Sequence, residues 1–263
     1  MAEDAKAPEA GRKVVVITGA SAGIGAALAG RLAREGHSLV LAARRERELR
    51  LVADSLHGRA VAVPTDVTRR GEVERLRDRA LDAFGQVDVW INNAGRGIDR
   101  PVLELTDQDV DEMMAVNVKS ALYGMQAIVP HFISRESGHL INVSSFLGRV
   151  PLAAHRSAYN AAKAALNALT ANLRSDLRAA HPQLHVSLVM PGLVSTDFAS
   201  NALGSGRSHS PRAGAMVPQT PDEVAGRIAT LIAEPVAEIY TNAASAALAR
   251  SYFEDVEAFE RGR

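Results

Sequence analysis

A tyrosine and a lysine four residues apart form the pair in this sequence with the most specific chemistry. Tyr159 and Lys163 fall in a stretch of helical period, so both side chains lie on one helix face. A neighbouring ammonium favours the phenolate, so we expect Lys163 to lower the pKa of Tyr159 from its ordinary value near 10. Such a phenol is a usable general acid or base. On this pair alone, a packed tyrosine beside a solvated lysine stays an equal alternative.

Two serines follow an apolar run at the place where α/β sheets bind ligands. Ser144 and Ser145 come directly after Leu140–Val143, and a hydroxyl there can donate to a developing oxyanion. The sequence has no Ser-His-Asp order and no Gly-x-Ser-x-Gly elbow, which disfavours a hydrolase nucleophile. The sequence contains no cysteine, which excludes thiolate chemistry. Its histidines are scattered and form no metal-binding motif, so we expect no metal site.

A glycine-rich turn, Thr18–Gly25, follows the first apolar run of the chain. Gly19, Gly23 and Gly25 let the backbone turn sharply and approach a ligand closely. The N–H groups at the start of the next helix suit a pyrophosphate, and no Gly-Lys-Ser/Thr makes this a Walker loop. An ordinary tight turn is the alternative for the glycines alone. Their position after the first strand favours dinucleotide binding.

The residues after the second apolar run bear on which dinucleotide is bound. Arg44 and Arg45 stand where an acidic residue would accept bonds from a ribose 2′-hydroxyl, and arginine neutralises a 2′-phosphate. Glu46 comes next and reads as the start of a helix. The pair therefore favours NADP(H) over NAD(H), with a solvated arginine pair as the alternative.

Short apolar runs alternate with segments of helical period, which predicts an α/β fold with a parallel sheet covered on both faces. The predicted strands are Val14–Thr18, Ser38–Ala43, Ala60–Val63, Val87–Ile91, Leu140–Val143, His185–Met190 and Glu238–Tyr240. The predicted helices run from about Ile24 to Gly36 and over Glu46–Leu56, Arg70–Phe84, Asp107–Ser134, Ala158–Ala180 and Pro221–Ala233. Thr106 with Asp109, and Thr220 with Glu223, have the spacing of capping boxes.

The ends of the chain and one loop are predicted separately. Residues 1–12 form a flexible tail, and residues 13–263 form one domain. A substrate loop covers about 193–217, and a C-terminal helix covers about 242–261. That helix either packs on the core or acts as a lid.

Composition excludes several functional classes. The 263 residues carry 30 basic and 30 acidic side chains, so the formal charge is 30 − 30 = 0 and neither nucleic acid nor an anionic membrane is an expected partner. The sequence shows no apolar run long enough to span a bilayer and no signal peptide, so we expect a cytoplasmic protein.

The motifs together resemble those of short-chain dehydrogenases/reductases. They occur in the family's order from about Lys13 to Tyr240: Thr18–Gly25, Asp66, Asn92-Asn93-Ala94-Gly95, Asn117, Ser145, Tyr159-x3-Lys163 and Pro191-Gly192. The resemblance implies a single doubly wound Rossmann-type domain with a seven-stranded parallel sheet. It also implies a homodimer or homotetramer, in which Asp107–Ser134 and Ala158–Ala180 pair across a two-fold axis.

The resemblance also implies a role for each site residue. Tyr159 would be the general acid/base, Lys163 would lower its pKa and hold the nicotinamide ribose, Ser145 would polarise the substrate oxygen, and Asn117 would anchor a proton relay. The implied cofactor contacts are Gly19, Ser21, Ala22, Gly23, Ile24, Gly25, Arg44, Arg45, Asp66, Val67, Asn93, Ala94, Gly95, Tyr159, Lys163, Pro191, Gly192, Val194 and Thr196.

One spacing departs from the family pattern. Tyr159 follows Ser145 by 14 residues, one more than expected, so Ser144 is a reserve candidate and we expect a slight bulge over Arg149–Ser157. The segments around the site are mostly apolar, and only Arg149 and His155 stand out as candidate contacts for a polar substrate end.

We therefore expect an NADP(H)-dependent oxidoreductase that transfers hydride between nicotinamide and a fairly apolar carbonyl or secondary alcohol. Two alternatives remain at this stage. One is a catalytically silent NADP(H)-binding regulator or scaffold. The other is a non-redox epimerase or dehydratase on the same fold.

Overall fold

Seven parallel strands form one sheet in the computed structural model, which describes residues 11–198, 200–204 and 217–262. The strands are β1 (Val14–Thr18), β2 (Ser38–Ala43), β3 (Ala60–Pro64), β4 (Val89–Asn92), β5 (Gly138–Val143), β6 (Leu184–Met190) and β7 (Glu238–Tyr240). Their order is β3-β2-β1-β4-β5-β6-β7, which confirms the predicted seven-stranded doubly wound sheet. The order reverses between β1 and β4, and ligands bind at such a switch point.

Helices cover both faces of the sheet. They are α1 (Gly23–Arg34), α2 (Glu46–Asp54), α3 (Arg70–Phe84), α4 (Asp107–Met114), α5 (Ser120–Ser134), α6 (Ser157–Arg178), α7 (Pro221–Ala233), α8 (Ala243–Glu254) and α9 (Val256–Arg261). Val15 and Ile17 of β1 pack under α1 and α7, whereas Val16 packs on the opposite face with α3, α5 and α6. Because successive strand residues point to opposite faces, a strand covered on both sides is apolar throughout.

The prediction of one regular helix over Asp107–Ser134 is wrong. Ala115–Lys119 forms a π-helical turn between α4 and α5. Such turns insert a residue and often occur at functional sites. Here the turn carries Asn117, whose amide bonds to backbone outside the helix, and a period-based prediction cannot detect that.

The C-terminal helix predicted over 242–261 is also two helices. Asp255 is extended, with a φ of −154°, and its side chain accepts from the N–H of Ala258, so it ends α8 and caps α9. Tyr252 and Phe259 pack together against the short turn Phe146–Gly148 and β7. Both predicted capping boxes, at Thr106 and Thr220, are confirmed.

Part of the predicted tail and of the predicted substrate loop lies outside the described residues. This applies to residues 1–10 of the tail and to residues 199 and 205–216 of the loop. Among the described residues, no helix is long and apolar enough to cross a membrane.

Candidate active site

The turn after β1 is pressed against the end of β4. Gly19 has a φ of +69°, and a Cβ at this position would lie 2.8 Å from the Cα of Ala94. A Cβ on Gly25 would overlap the carbonyl oxygen of Gly19. Two glycines are therefore required here for close backbone approach, and the turn offers bare backbone at the switch point of the sheet.

Thr18 fixes this contact and was not predicted as a site residue. Its hydroxyl accepts from the backbone N–H groups of Asn93 at 3.0 Å and Ala94 at 3.1 Å. The Asn93 amide donates in turn to the carbonyl oxygen of Thr18 at 2.9 Å. The side chain of Asn93 thus positions the turn, and Gly95 is the exposed residue of this segment. A buried threonine at the last position of a strand that precedes a glycine turn was the available signal.

The end of β2 carries two exposed guanidinium groups. Arg45 donates to the hydroxyl of Ser21 at 3.2 Å, which links the arginine to the glycine turn. Asp66 accepts from the N–H and hydroxyl of Thr68 at 3.0 and 2.7 Å. Although burial acts to raise it, these bonds and the charge of Arg44 hold the pKa of Asp66 below its ordinary value. Asp66 therefore caps a turn beside the arginine pair.

The remaining predicted cofactor contacts lie around the same crevice. Ala22 is the extended N-cap of α1, Ile24 packs on the core, and Val67 is buried beneath β2 and α3. Pro191 is buried, and its carbonyl accepts from the N–H of Phe146 at 2.8 Å.

Thr196 meets the glycine turn from the other side. A Cβ on Gly23, whose φ is +56°, would lie 3.3 Å from the Thr196 methyl. Val194, two residues earlier, pairs with Gln219 and packs on the core, and Gly192 is half-buried. The segment after β6 therefore crosses the start of α1.

The π-helical turn directs Asn117 at the segment after β4. Its Oδ1 accepts from the N–H of Arg96 at 3.2 Å, and its Nδ2 donates to the carbonyl of Arg96 at 2.9 Å. A Cβ on Gly95 would lie 3.0 Å from that Oδ1. Asn117 thus braces the backbone that passes between it and Lys163.

The two serines after β5 face different partners. Ser144 donates to Asn167 at 2.5 Å, on α6 and away from the tyrosine. Ser145 accepts from the N–H of Leu147 at 3.2 Å and lies close enough to Tyr159 to act to lower the pKa of its phenol. The loop between Ser145 and Tyr159 is fixed by the backbone N–H of Arg100, which donates to the carbonyl of His155 at 2.7 Å. The longer spacing therefore leaves Ser145 next to the phenol.

Tyr159 differs from expectation in its pKa. The side chain is 7% exposed, and burial raises its pKa to about 12, against the lowering effects of Ser145 and of Arg156. The expected lowering of the Tyr159 pKa is wrong for this structure, because desolvation of the phenolate outweighs the nearby donors. The phenol therefore holds its proton at neutral pH.

Lys163 is as deeply buried as Tyr159. Its Nζ donates to the carbonyl of Val143 at 3.0 Å and lies 5.7 Å from the centroid of the Tyr159 ring. Burial lowers its pKa to about 7, so a large fraction of the amine is uncharged at neutral pH, whereas the sequence predicted a full ammonium charge. A Cβ on Gly95 would lie 3.5 Å from this Nζ, which places the amine at the same segment as Asn117.

Two further side chains reach this site. The Phe198 ring packs edge-on against Tyr159 with centroids 5.5 Å apart. Arg156 lies one turn before Tyr159, and its charge acts on the phenol. Arg156 was not predicted, although its i−3 spacing from Tyr159 could have indicated it. Arg149, one of the two candidate contacts for a polar substrate end, pairs with Glu238 at 2.5 Å.

The comparisons with known proteins agree with this geometry. The short chain dehydrogenase family model matches residues 13–204. An uncharacterized oxidoreductase of Staphylococcus epidermidis is 36% identical over 184 residues, which cover 70% of this chain and 79% of the relative. The fold, the site and these matches show that the chain belongs to the short-chain dehydrogenase/reductase family and is an oxidoreductase.

Solved structures of the family superpose over nearly the whole chain. A short-chain dehydrogenase/reductase from Burkholderia phymatum, in complex with NAD, has a TM-score of 0.84 and 31% identity, and the match covers 94% of this chain and 95% of that one. A metagenomic short-chain oxidoreductase in complex with NADP has a TM-score of 0.70 and 32% identity, covering 87% and 96%.

Proposed function

We propose that the protein is an NADP(H)-dependent reductase of ketones or aldehydes, with Tyr159 as the proton donor. The observation that carries the proposal is the placement of Tyr159 beside Ser145 and Lys163, at the carboxyl edge of the sheet where the strand order reverses. Two hydroxyls that meet there can both reach one substrate oxygen.

The residues present fit a nicotinamide dinucleotide. The turn Gly19–Gly25 admits close backbone approach and leads into the positive end of α1, which suits a pyrophosphate. Gly95 is exposed between Asn117 and Lys163, and Thr196 closes the crevice near Gly23. Structural neighbours bind NAD in one case and NADP in another, which supports the class of cofactor.

The choice of NADP(H) rests on the end of β2. Arg44 and Arg45 are exposed there, Arg45 bonds to Ser21 of the glycine turn, and Glu46 pairs with Arg50 on α2. Two cations beside the turn favour a 2′-phosphate, whereas a ribose 2′-hydroxyl is held by a carboxylate.

The chain's own residues perform the proton chemistry. The bound nicotinamide supplies or accepts the hydride. Ser145 donates to the carbonyl oxygen and Tyr159 protonates it, since a pKa of about 12 keeps the phenol protonated yet leaves it more acidic than the product alcohol. Asn117 holds the Gly95 segment next to Lys163, and we propose that Asn117 also anchors the relay that reprotonates Tyr159. This assignment favours reduction as the working direction.

The test is oxidation of NADPH across a panel of ketones and aldehydes. We expect Tyr159→Phe to lower kcat by about 100- to 10,000-fold while cofactor binding, measured by fluorescence titration, persists. Tyr123→Phe is the matched control, because Tyr123 lies on α5 under Arg70. Full activity of Tyr159→Phe would overturn the mechanism. Binding without turnover on any carbonyl would favour a regulator, and turnover without a change in NADPH absorbance would favour an epimerase or dehydratase.

Cofactor preference is tested separately. We expect Arg44→Ala and Arg45→Ala each to raise KM for NADPH by about 10-fold and to leave KM for NADH unchanged, since each removes a charge-assisted bond. A wild-type preference for NADH would contradict the assignment.

We also propose a homodimer or homotetramer formed through α5 and α6. Ala161, Ala164 and Ala168 are exposed along one face of α6, where small side chains permit close approach of a second copy. Val102 and Leu103 are 68% and 99% exposed near the start of α4. Light scattering at micromolar concentration tests this, and a monomer would contradict it.

A further inference from the structure

Arg156 lies at the entrance to α6, three residues before Tyr159, and points toward the segment after β4. Its Nη1 donates to the carbonyl of Ile98 at 3.2 Å. The same nitrogen lies 3.0 Å from the point that a Cβ on Gly97 would occupy. The guanidinium is thus held against the backbone that Asn117 braces.

The arginines around this segment differ in their ion pairs. Arg96 pairs with Glu112, and Arg100 pairs with Asp109 at 2.9 Å. In the part of the chain that the structure describes, Arg156 forms no ion pair. It is half-buried, and the guanidinium has five N–H groups, of which the bond to Ile98 uses one among the described residues.

Arg156 and Tyr159 border the same space, together with an apolar wall. The Phe198 ring packs against Tyr159, and its Cε1 also lies 3.0 Å from the point that a Cβ on Gly97 would occupy. Gly97 therefore makes room for a cation and an aromatic ring at one place. The charge of Arg156 also acts to lower the pKa of Tyr159, which agrees with this placement.

We propose that Arg156 binds a carboxylate on the substrate, and that the enzyme reduces oxo acids whose carbon chain packs against Phe198. This inference rests on the proposed function. A single cation with neutralised neighbours matches a monoanion, which favours a carboxylate over a phosphate dianion. In the reaction the ketone carbon gains a hydride from NADPH, which becomes NADP⁺, and the oxygen gains the Tyr159 proton. The product is a hydroxy acid.

The test compares each oxo acid with its neutral ester. Acetoacetate and methyl acetoacetate form one pair, and levulinate and methyl levulinate form another. We expect the wild type to favour the acid in at least one pair. We expect Arg156→Met to lower kcat/KM for that acid by about 10- to 100-fold, mainly through KM, and to change the ester by less than about twofold. Arg156→Lys keeps the charge and should restore part of the preference.

A binding measurement separates this inference from the proposed function. Ligand-observed NMR on enzyme saturated with NADP⁺ should show weaker binding of the acid, but not of the ester, to Arg156→Met. Arg149→Met is the matched control and should keep the wild-type ratio of acid to ester, because Arg149 is engaged by Glu238.

The outcomes are distinct. Equal use of acid and ester by the wild type, or equal loss of both in Arg156→Met, overturns the carboxylate site and leaves the reductase standing. The same comparison is made with dihydroxyacetone phosphate and dihydroxyacetone. If Arg156→Met lowers the preference for the phosphate compound more than it lowers the preference for the acid, the choice of carboxylate is overturned. Absence of NADPH oxidation with every carbonyl, despite cofactor binding, overturns the reductase and with it this inference.

Discussion

Lys163→Met should make the protein more stable at neutral pH while it removes activity. Lys163 is 3% exposed, and among the described residues its amine donates to the carbonyl of Val143 alone. Methionine keeps most of the apolar stem and removes the group that is costly to desolvate. Loss of the amine at Gly95 removes a proposed contact to the cofactor, so we expect NADPH oxidation to fall together with the gain in stability.

The magnitude follows from the pKa of the buried amine. The difference between 10.5 for an exposed lysine and about 7 for Lys163 corresponds to about 4 kcal/mol of unfolding free energy lost at pH 7. Leaving the Val143 carbonyl without its donor costs about 1–3 kcal/mol. The net gain for Lys163→Met is therefore about 2 kcal/mol at pH 7.

The dependence on pH provides a second test. Between pH 7 and 10.5 the unfolded chain keeps a proton that folded Lys163 releases, so this residue makes wild-type stability rise with pH. The rise it contributes from pH 7 to pH 9 is about 2 kcal/mol, and Lys163→Met should lack it.

Urea unfolding at pH 7 and pH 9 measures the free energy of unfolding of each variant and its dependence on pH. Exposed Lys119 supplies the control, and Lys119→Met should keep the wild-type dependence on pH. A Lys163→Met variant that is less stable than wild type at pH 7, with an unchanged dependence on pH, would refute the reasoning.

Three further predictions concern residues around the sheet. Burial, with His185 nearby, lowers the pKa of His139 to about 3, so the unfolded chain gains a proton first as pH falls below about 6.5. Between pH 7.5 and pH 5 this should cost about 2 kcal/mol, which His139→Gln removes in urea unfolding. Gly124→Ala should lower the free energy of unfolding by about 2–4 kcal/mol, because its Cβ would lie 2.6 Å from the Trp90 Nε1. Thermal unfolding measures this loss. Gly71→Ala is the control and should show no such loss, because a Cβ there would meet no described atom within 4 Å. Phe198→Ala should lower the pKa of Tyr159 from about 12 toward 10, because it removes a ring that shields the phenol from water. NMR titration of labelled tyrosine measures the pKa, and an unchanged value would contradict this role of Phe198.

The strands and most helices follow from local sequence. β1, β2 and β7 have the predicted ends, as do α3 and α7, because buried apolar runs and capping residues act over a few neighbours. The family motifs also indicated the site, since Gly19, Gly25 and Tyr159 each meet a requirement of backbone or chemistry that few residue types can satisfy.

The polar network beneath the site shows why other features were not predictable. Trp90 donates to Asn92 at 2.8 Å, Asn92 to Asn142 at 2.9 Å, and Asn142 to Thr170 at 2.9 Å, which joins β4, β5 and α6. Asn92, Asn142 and Thr170 are each of a residue type that is common in turns or caps. Their pairing depends on strand order, which spacing along the chain does not specify.

The sequence by itself determined an alternating α/β chain, its glycine turn and the tyrosine–lysine pair on one helix face. Only the tertiary structure decided that Asn117 lies in a π-helical turn, that Ser144 bonds to Asn167 of α6, and that Arg156 lies against the segment after β4. It also decided the direction of the Tyr159 pKa. The physical reason is that desolvation depends on everything packed around a group, Phe198 included, whereas local sequence specifies only its neighbours along the chain.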